Sequence, residues 1–279
     1  MQKKRTNRKT APPGFATARE AMQAINVAST TFYDLVKEEV IPSVVLPGRS
    51  EAVYPWDAIE KYRRSVVKAM SSYKDPNAYD FGLALKDDIP EIRELVASES
   101  GGWDHTVPQQ VMEAWLRKNP EALHILWKGN DIVGYISMFP LPYETVMKRL
   151  SGEYWNRTIP IDDIQPFLPK NTYPLYIAEM VAKQEKSESA IKLPIGTKRV
   201  GMRLVVETAK LLVQWSVQDI RFEEIYAVGT SEEGIHLCTS LGMKPLEMEG
   251  KRLGRIPFKL EVVPDQSVLR IANFRNRAS

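Results

Sequence analysis

The sequence predicts an α/β protein in which a mixed sheet with flanking helices follows a small, mainly helical front unit. Three observations predict it. Up to about residue 64 the apolar residues recur at helical spacing, whereas from residue 80 short apolar runs alternate with helical patterns. Between them lies "SVVKAMSSYKDPNAYDFG", residues 65–82, whose Lys-Asp-Pro-Asn is turn chemistry. The charge also changes: residues 1–74 carry 13 Lys/Arg against 7 Asp/Glu, a balance of +6, while residues 75–279 sum to −3. A basic front on a mildly acidic body is the asymmetry expected when only the front meets a polyanion.

With 279 residues, 43% apolar and 26% charged, the chain can bury a core in each of two domains. It contains no run of about 20 apolar residues, so no membrane span is expected. The basic start "MQKKRTNRKTAPPGF" lacks the apolar centre of a secretory signal. A single cysteine, Cys238, rules out an intrachain disulfide and suits a cytoplasmic protein. The three histidines and the cysteine are scattered without ligand spacing, so no metal is expected.

In the front unit, Thr17 and Glu20 form a T-x-x-E capping box, so a helix should begin near Ala18, with Ala21, Ala24 and Ile25 on its apolar face. Asn26-Val27 should break it. A second helix is predicted over Ser29–Lys37, with Phe32, Leu35 and Val36 inward. Two β-prone runs flank Pro47-Gly48, and Trp56, Ile59 and Tyr62 should anchor a last helix. The opening "T-x-x-E-A", "INVASTTFYDLV", the "IP" at 41–42, the hairpin and "WDAIEKY" resemble the excisionase-like and MerR-like winged helix-turn-helix family. That resemblance implies DNA binding, with the second helix in the major groove. It assigns DNA-facing roles to Ser29, Thr30, Thr31 and Tyr33, places Arg49 on the wing, and allows a homodimer. Lys3, Lys4, Arg5, Arg8 and Lys9 could add phosphate contacts. Ala28 stands where a capping serine is common, and Asp34, Glu38 and Glu39 would repel phosphate, so a protein-docking or dimer-forming module is the competing reading.

In the body, "DFGLAL" reads as a strand, followed by a helix capped by Asp87 or Asp88 and a second helix, "VPQQVMEAWLRKN". "ALHILW" and "DIVGYISMF" form a hairpin across "KGND". "YETVMKRLSG" is helical to Gly152, "IDDIQPFLPKNTYP" is loop and "LYIAEMVAK" is a strand. Val200, Leu204, Leu211 and Trp215 share one face of a long helix. "EEIYAV" is a strand, and Thr230 with Glu233 makes a second capping box for "EEGIHLCTSLG". "MKPLEM" and "PFKLEVV" should close the fold as antiparallel strands.

The hairpin "LWKGNDIVGYISM", the strand "LYIAEMVA", the loop-helix "KRVGMRLVVETAK" and the ending "IYAVGTSEEGIHLCTSLGMKPL" together resemble the GNAT superfamily of N-acetyltransferases. The expected organisation is a basic arm at 1–14, a winged helix-turn-helix at 15–64, a linker at 65–79, a GNAT-like domain at 80–263 and a tail at 264–279. The resemblance implies transfer of an acetyl group from acetyl-CoA to an unidentified amine. In that family a loop of the form Q/R-x-x-G-x-G/A, ahead of a long helix, holds the pyrophosphate on free N–H groups. The matching window here is "GTKRVG", residues 196–201, in which Arg199 replaces a glycine and only Gly201 keeps its place. The implied cofactor-binding residues are Lys198, Arg199, Val200, Gly201, Met202 and Arg203, with Val181 and Lys183 beside the pantetheine arm.

Glu179 is the candidate base, since a carboxylate tuned upward can take the amine's proton. Alternation sets it on one strand face with Val181 and Lys183. The tyrosine that protonates the leaving thiolate in the family is replaced by Cys238, which could donate a proton but is expected to pack. The second reading is therefore a non-catalytic transcriptional regulator whose degenerate GNAT domain only binds CoA or another ligand.

Overall fold

The computed structural model describes residues 11–70, 78–153, 159–184, 200–248 and 254–262. The cations expected in the basic arm, the loop cations Lys198 and Arg199, and the tail at 264–279 lie outside these residues. The chain divides into two compact units, Met1–Pro76 and Asn77–Ser279.

The front unit is built from strand β1 (Phe15–Ala16), helices α1 (Ala18–Ile25) and α2 (Ser29–Lys37), strand β2 (Tyr54–Pro55) and helix α3 (Trp56–Met70). The capping box is formed. The Glu20 N–H donates to Thr17 Oγ1 at 3.3 Å, and the Thr17 N–H donates to Glu20 Oε2 at 2.7 Å. Asn26 ends α1 in the left-handed region at φ 53°, which Asn tolerates better than most side chains. Ala28 begins α2 with no side-chain cap. β1 pairs antiparallel with β2, and a single bridge joins Val44 to Val53. Ala16, Ala21, Phe32, Ile41, Tyr54 and Ile59 make the core, with the Phe32 ring edge-on to Tyr54 at 4.8 Å. α3 runs on through the first residues of the expected linker to Met70, because "SVVKAM" contains no helix breaker.

The second unit holds, in chain order, β3 (Tyr79–Leu83), α4 (Ile89–Ser100), α5 (Gln109–Lys118), β4 (Leu123–Lys128), β5 (Asp131–Pro140), α6 (Tyr143–Ser151), β6 (Thr172–Ala182), α7 (Val200–Val217), β7 (Arg221–Gly229), α8 (Glu232–Ser240), β8 (Lys244–Pro245) and β9 (Ile256–Glu261). The strands form one seven-stranded sheet in the order β3-β4-β5-β6-β7-β9-β8. Only β6 and β7 are parallel, as the α7 crossover between them requires. β9 lies between β7 and β8, antiparallel to both.

Side chains alternate across the sheet into two cores. One gathers Tyr135, Tyr176 and Tyr226 beneath α4, α5 and α6, which contribute Ile92, Trp115 and Leu150. The other gathers Ile136, Leu175 and Ile225 beneath α7 and α8, which contribute Leu204, Trp215 and Cys238. Two expected caps are corrected. Ser231, not Thr230, caps α8 by accepting from the Gly234 N–H at 3.1 Å. Asp88 precedes α4 without a side-chain cap bond; its carboxylate accepts from the Leu85 N–H at 2.6 Å and tightens the turn before the helix.

Candidate functional site

The middle of the sheet is forked. The β6–β7 ladder runs from Thr172–Arg221 to Ile177–Ala227 and stops, although both strands continue. β6 stays with β5, through pairs that reach Gly134–Ala182 and a bond from the Lys183 N–H to the Val133 carbonyl at 2.8 Å. β7 stays with β9 as far as Gly229–Ile256. A bulge explains the parting. Opposite Ser137 and Met138, β6 inserts Ala178 as an extra residue, and a bulge bends its strand and steepens its twist. The first turn of α7 meets the parted end of β6: a Cβ built on Gly201 would lie 3.7 Å from Ala182 Cβ. A wedge and a helix start are thus adjacent.

Glu179 follows the bulge directly and pairs with Ser137, while Val181 pairs with Tyr135. Glu179 therefore shares the sheet face of Tyr135 and Val181, on the side covered by α4–α6. Burial pushes its carboxyl up to about 7, the range in which a carboxylate exchanges protons at neutral pH. The Tyr135 phenol is fully buried and held well above its usual value, first by burial and then by the Glu179 charge. Ser137 opposes that rise, yet neither its hydroxyl nor that of Tyr135 makes a well-formed hydrogen bond among the described residues.

The other expected residues fall in different surroundings. Val200 is buried in the core under α7, so only its backbone can face a ligand. Met202 is exposed. Arg203 is turned along the helix to Glu207 at 2.9 Å, with its guanidinium 6.0 Å from the Tyr79 ring centre. Such an exposed pair holds the side chain only weakly. Lys183 is exposed just beyond β6. Cys238 is buried on the opposite face from Glu179, and burial pushes its thiol up to about 11. Among the histidines, His105 and His236 are exposed, while His124 lies between Phe81 and Trp215, where burial drives it down to about 3. Among the described residues no group of three or more His, Cys, Asp or Glu could hold a metal ion, and no helix is long and apolar enough to cross a membrane.

Sequence reasoning missed a cavity of about 370 Å³ between α6, β7 and β9. Its apolar wall is Tyr143, Met147, Leu246 and Met248. Its polar wall is one connected set: the Tyr226 hydroxyl donates to Glu224 Oε2, and Lys259 Nζ donates to Glu224 Oε1 at 2.9 Å. Burial opposes ionisation of Glu224, but these two bonds hold its carboxyl below the ordinary range. Burial and then Glu224 push the Tyr226 phenol upward, so it remains a donor at neutral pH. The alternation of Glu224 and Tyr226 within "EEIYAV" was a readable signal; their pairing with Lys259 was not, because β9 arrives from far along the chain.

In the front unit, Ser29, Thr30, Thr31 and Tyr33 are all exposed on α2. Asp34, Glu38 and Glu39 are exposed on and just after the same helix. Arg49 is half-buried in the turn at Gly48, where its N–H donates to the Leu46 carbonyl at 3.1 Å.

No protein-family model matches the chain, and no significant match is found among curated proteins. Among solved structures, the chain is similar to a GNAT-family acetyltransferase from Bacillus cereus, at 10% identity over 67% of this chain and 99% of that one, with a TM-score of 0.40. It is similar to the loading GNATL domain of CurA from Lyngbya majuscula, at 14% identity over 66% and 98%, with a TM-score of 0.47. It is also similar to yncA from Salmonella typhimurium, solved with its cofactor acetyl-CoA, at 14% identity over 68% and 99%, with a TM-score of 0.40.

Proposed function

We propose that the body of this chain is a GNAT-type N-acetyltransferase that moves an acetyl group from acetyl-CoA to an amine. The carrying observation is the forked sheet, with Glu179 beside the fork and the start of α7 at its open end. A parted strand offers backbone groups to an extended amide chain such as pantetheine, as an edge strand offers them to a peptide. The first amides of α7 have no partners within the helix and favour a diphosphate there. Gly201 leaves room for close approach, since among the described residues a Cβ at that position would meet only Ala182.

Acetyl-CoA would supply the activated acyl group. Glu179 would take the proton from the ammonium of the acceptor, leaving a neutral nitrogen able to attack the thioester carbonyl; the C–N bond forms as the C–S bond breaks, and CoA leaves as a thiolate that takes up the nitrogen's second proton to become the free thiol. A carboxyl held near 7 suits this task, because half of it is ionised at neutral pH while its conjugate acid remains a competent proton donor.

Calorimetry with acetyl-CoA tests the first step. Binding is expected, and Gly201→Glu should weaken it at least tenfold by setting a carboxylate against the phosphates. No heat at millimolar ligand would end the enzyme reading. Release of free CoA over a panel of amines tests the second step.

Cys238 favours the regulator as a second reading. The resemblance puts an acid there, whereas this thiol is buried in the opposite core with its proton held to about 11. Tight acetyl-CoA binding with no turnover on any amine would select that reading.

For the front unit we propose DNA docking through Ser29, Thr30, Thr31 and Tyr33, with Arg49 at the hairpin. The exposed polar face of α2 supports it; the neighbouring Asp34, Glu38 and Glu39 weigh against it. Affinity of the full chain for mixed duplex DNA should fall steeply with salt. A slope near zero would select protein docking. Heads of this kind act in pairs, so a homodimer belongs to the same proposal and sedimentation would detect it.

A further inference from the structure

Resting on the acetyltransferase reading, we infer that the cavity between α6, β7 and β9 receives the acceptor, and that it selects a monoamine with an aromatic or similarly apolar body over a polycationic amine. The cavity lies beside the fork. Tyr226, on its wall, immediately precedes Ala227, the last residue of β7 paired with β6 before the fork. Tyr226 also faces the core that contains Tyr135 and Tyr176, on the side of the sheet to which Glu179 points. A body held in the cavity can therefore present its nitrogen to the fork from the Glu179 side.

The lining sets the class. Tyr143 and Tyr226 present their rings edge to face, with centres 6.5 Å apart, and Met147, Leu246 and Met248 complete a wall that matches an aromatic or branched alkyl group. The volume of about 370 Å³ suits a body of one or two rings. The polar wall discriminates against multiple charge. Both Glu224 oxygens are already engaged, by Tyr226 and by Lys259, and Lys259 also reaches Glu261 at 3.2 Å. That wall is a closed ion pair and contributes no unmatched carboxylate. Glu247, exposed at the rim, is the other lining carboxylate among the described residues, enough to guide one ammonium but too few for several. Each extra buried ammonium of a polyamine would have to shed its water without an anion to receive it.

The test uses the full chain and two probes, phenethylamine and spermidine, followed by ligand-observed NMR without acetyl-CoA; acetyl-CoA binding is measured separately by calorimetry. Phenethylamine is expected to bind at least tenfold more tightly than spermidine. Tyr143→Ala, at a position 56% exposed, should leave the fold intact and weaken phenethylamine about tenfold while leaving acetyl-CoA affinity unchanged. Lys259→Met should narrow the preference by admitting spermidine. Met147→Ala should also weaken phenethylamine, providing a second route should Tyr143 prove mobile. Spermidine binding as tightly as phenethylamine, or phenethylamine binding indifferent to both Tyr143→Ala and Met147→Ala, overturns the inference while a normal acetyl-CoA response leaves the acetyltransferase reading standing. Tyr143-dependent phenethylamine binding without any acetyl-CoA response upholds the cavity as an amine site and removes the transfer reaction from it.

Discussion

Glu179 takes its proton affinity from its position, since the same carboxyl on an open strand would titrate near 4.5 rather than about 7. Between those values the unfolded chain releases a proton that the folded chain retains, so stability falls as pH rises through this window. The stabilising contribution is complete below about 4.5 and lost above about 7. Glu179→Gln removes the charge without changing the shape. It should therefore be more stable than the parent at pH 8, by up to about 3 kcal/mol, with the gap closing towards pH 5; urea unfolding at both pH values measures it. Acetyl transfer by the parent should rise with pH through an apparent value near 7, the titration of Glu179, and the variant should lose on the order of 100-fold in rate. Loss of activity with a gain of stability is the signature of a group retained for chemistry. Glu179 was legible as a candidate from its strand, but its proton affinity was not, because burial beneath α4–α6 is set by residues from elsewhere in the chain.

Element boundaries were set mainly by local chemistry. The Thr17–Glu20 box started α1 at Ala18, and α2 occupies Ser29–Lys37 as its apolar spacing required. Thr17→Ala should destabilise the front unit by about 1 kcal/mol, whereas Ala28→Ser should add a fraction of that by supplying a missing cap. Thermal melts of the two variants, read at the helical signal, decide both. Ser231 took the place expected of Thr230 because both are capping residues, and the helix settled on the one whose oxygen reached Gly234. At Gly229 packing dominates. A Cβ there would lie 2.8 Å from Ile235 Cγ1 and 3.2 Å from the Ile235 backbone, so α8 presses directly on β7. Gly229→Ala should therefore shift α8 and destabilise the body by about 1–3 kcal/mol, a loss that a chemical denaturation curve would register. No change in midpoint would mean that α8 can yield there.

At the scale of the whole chain, the front and body have separate buried clusters, and the division falls at Pro76. A fragment beginning at Asn77 should melt cooperatively and keep acetyl-CoA affinity within about twofold of the full chain. Its collapse would mean that the front unit completes the body. The order of strands and helices was readable because capping, turn residues and the spacing of apolar side chains act over a few residues, and each such signal lies wholly within its own segment. The fork at Ala178, the insertion of β9 between β7 and β8, the partial burial of Glu179 and the Tyr226–Glu224–Lys259 wall were decided only by tertiary structure. Each depends on which distant strand lies alongside and how far water is excluded. Those are sums over contacts between residues far apart in the chain, and no short stretch of it carries them.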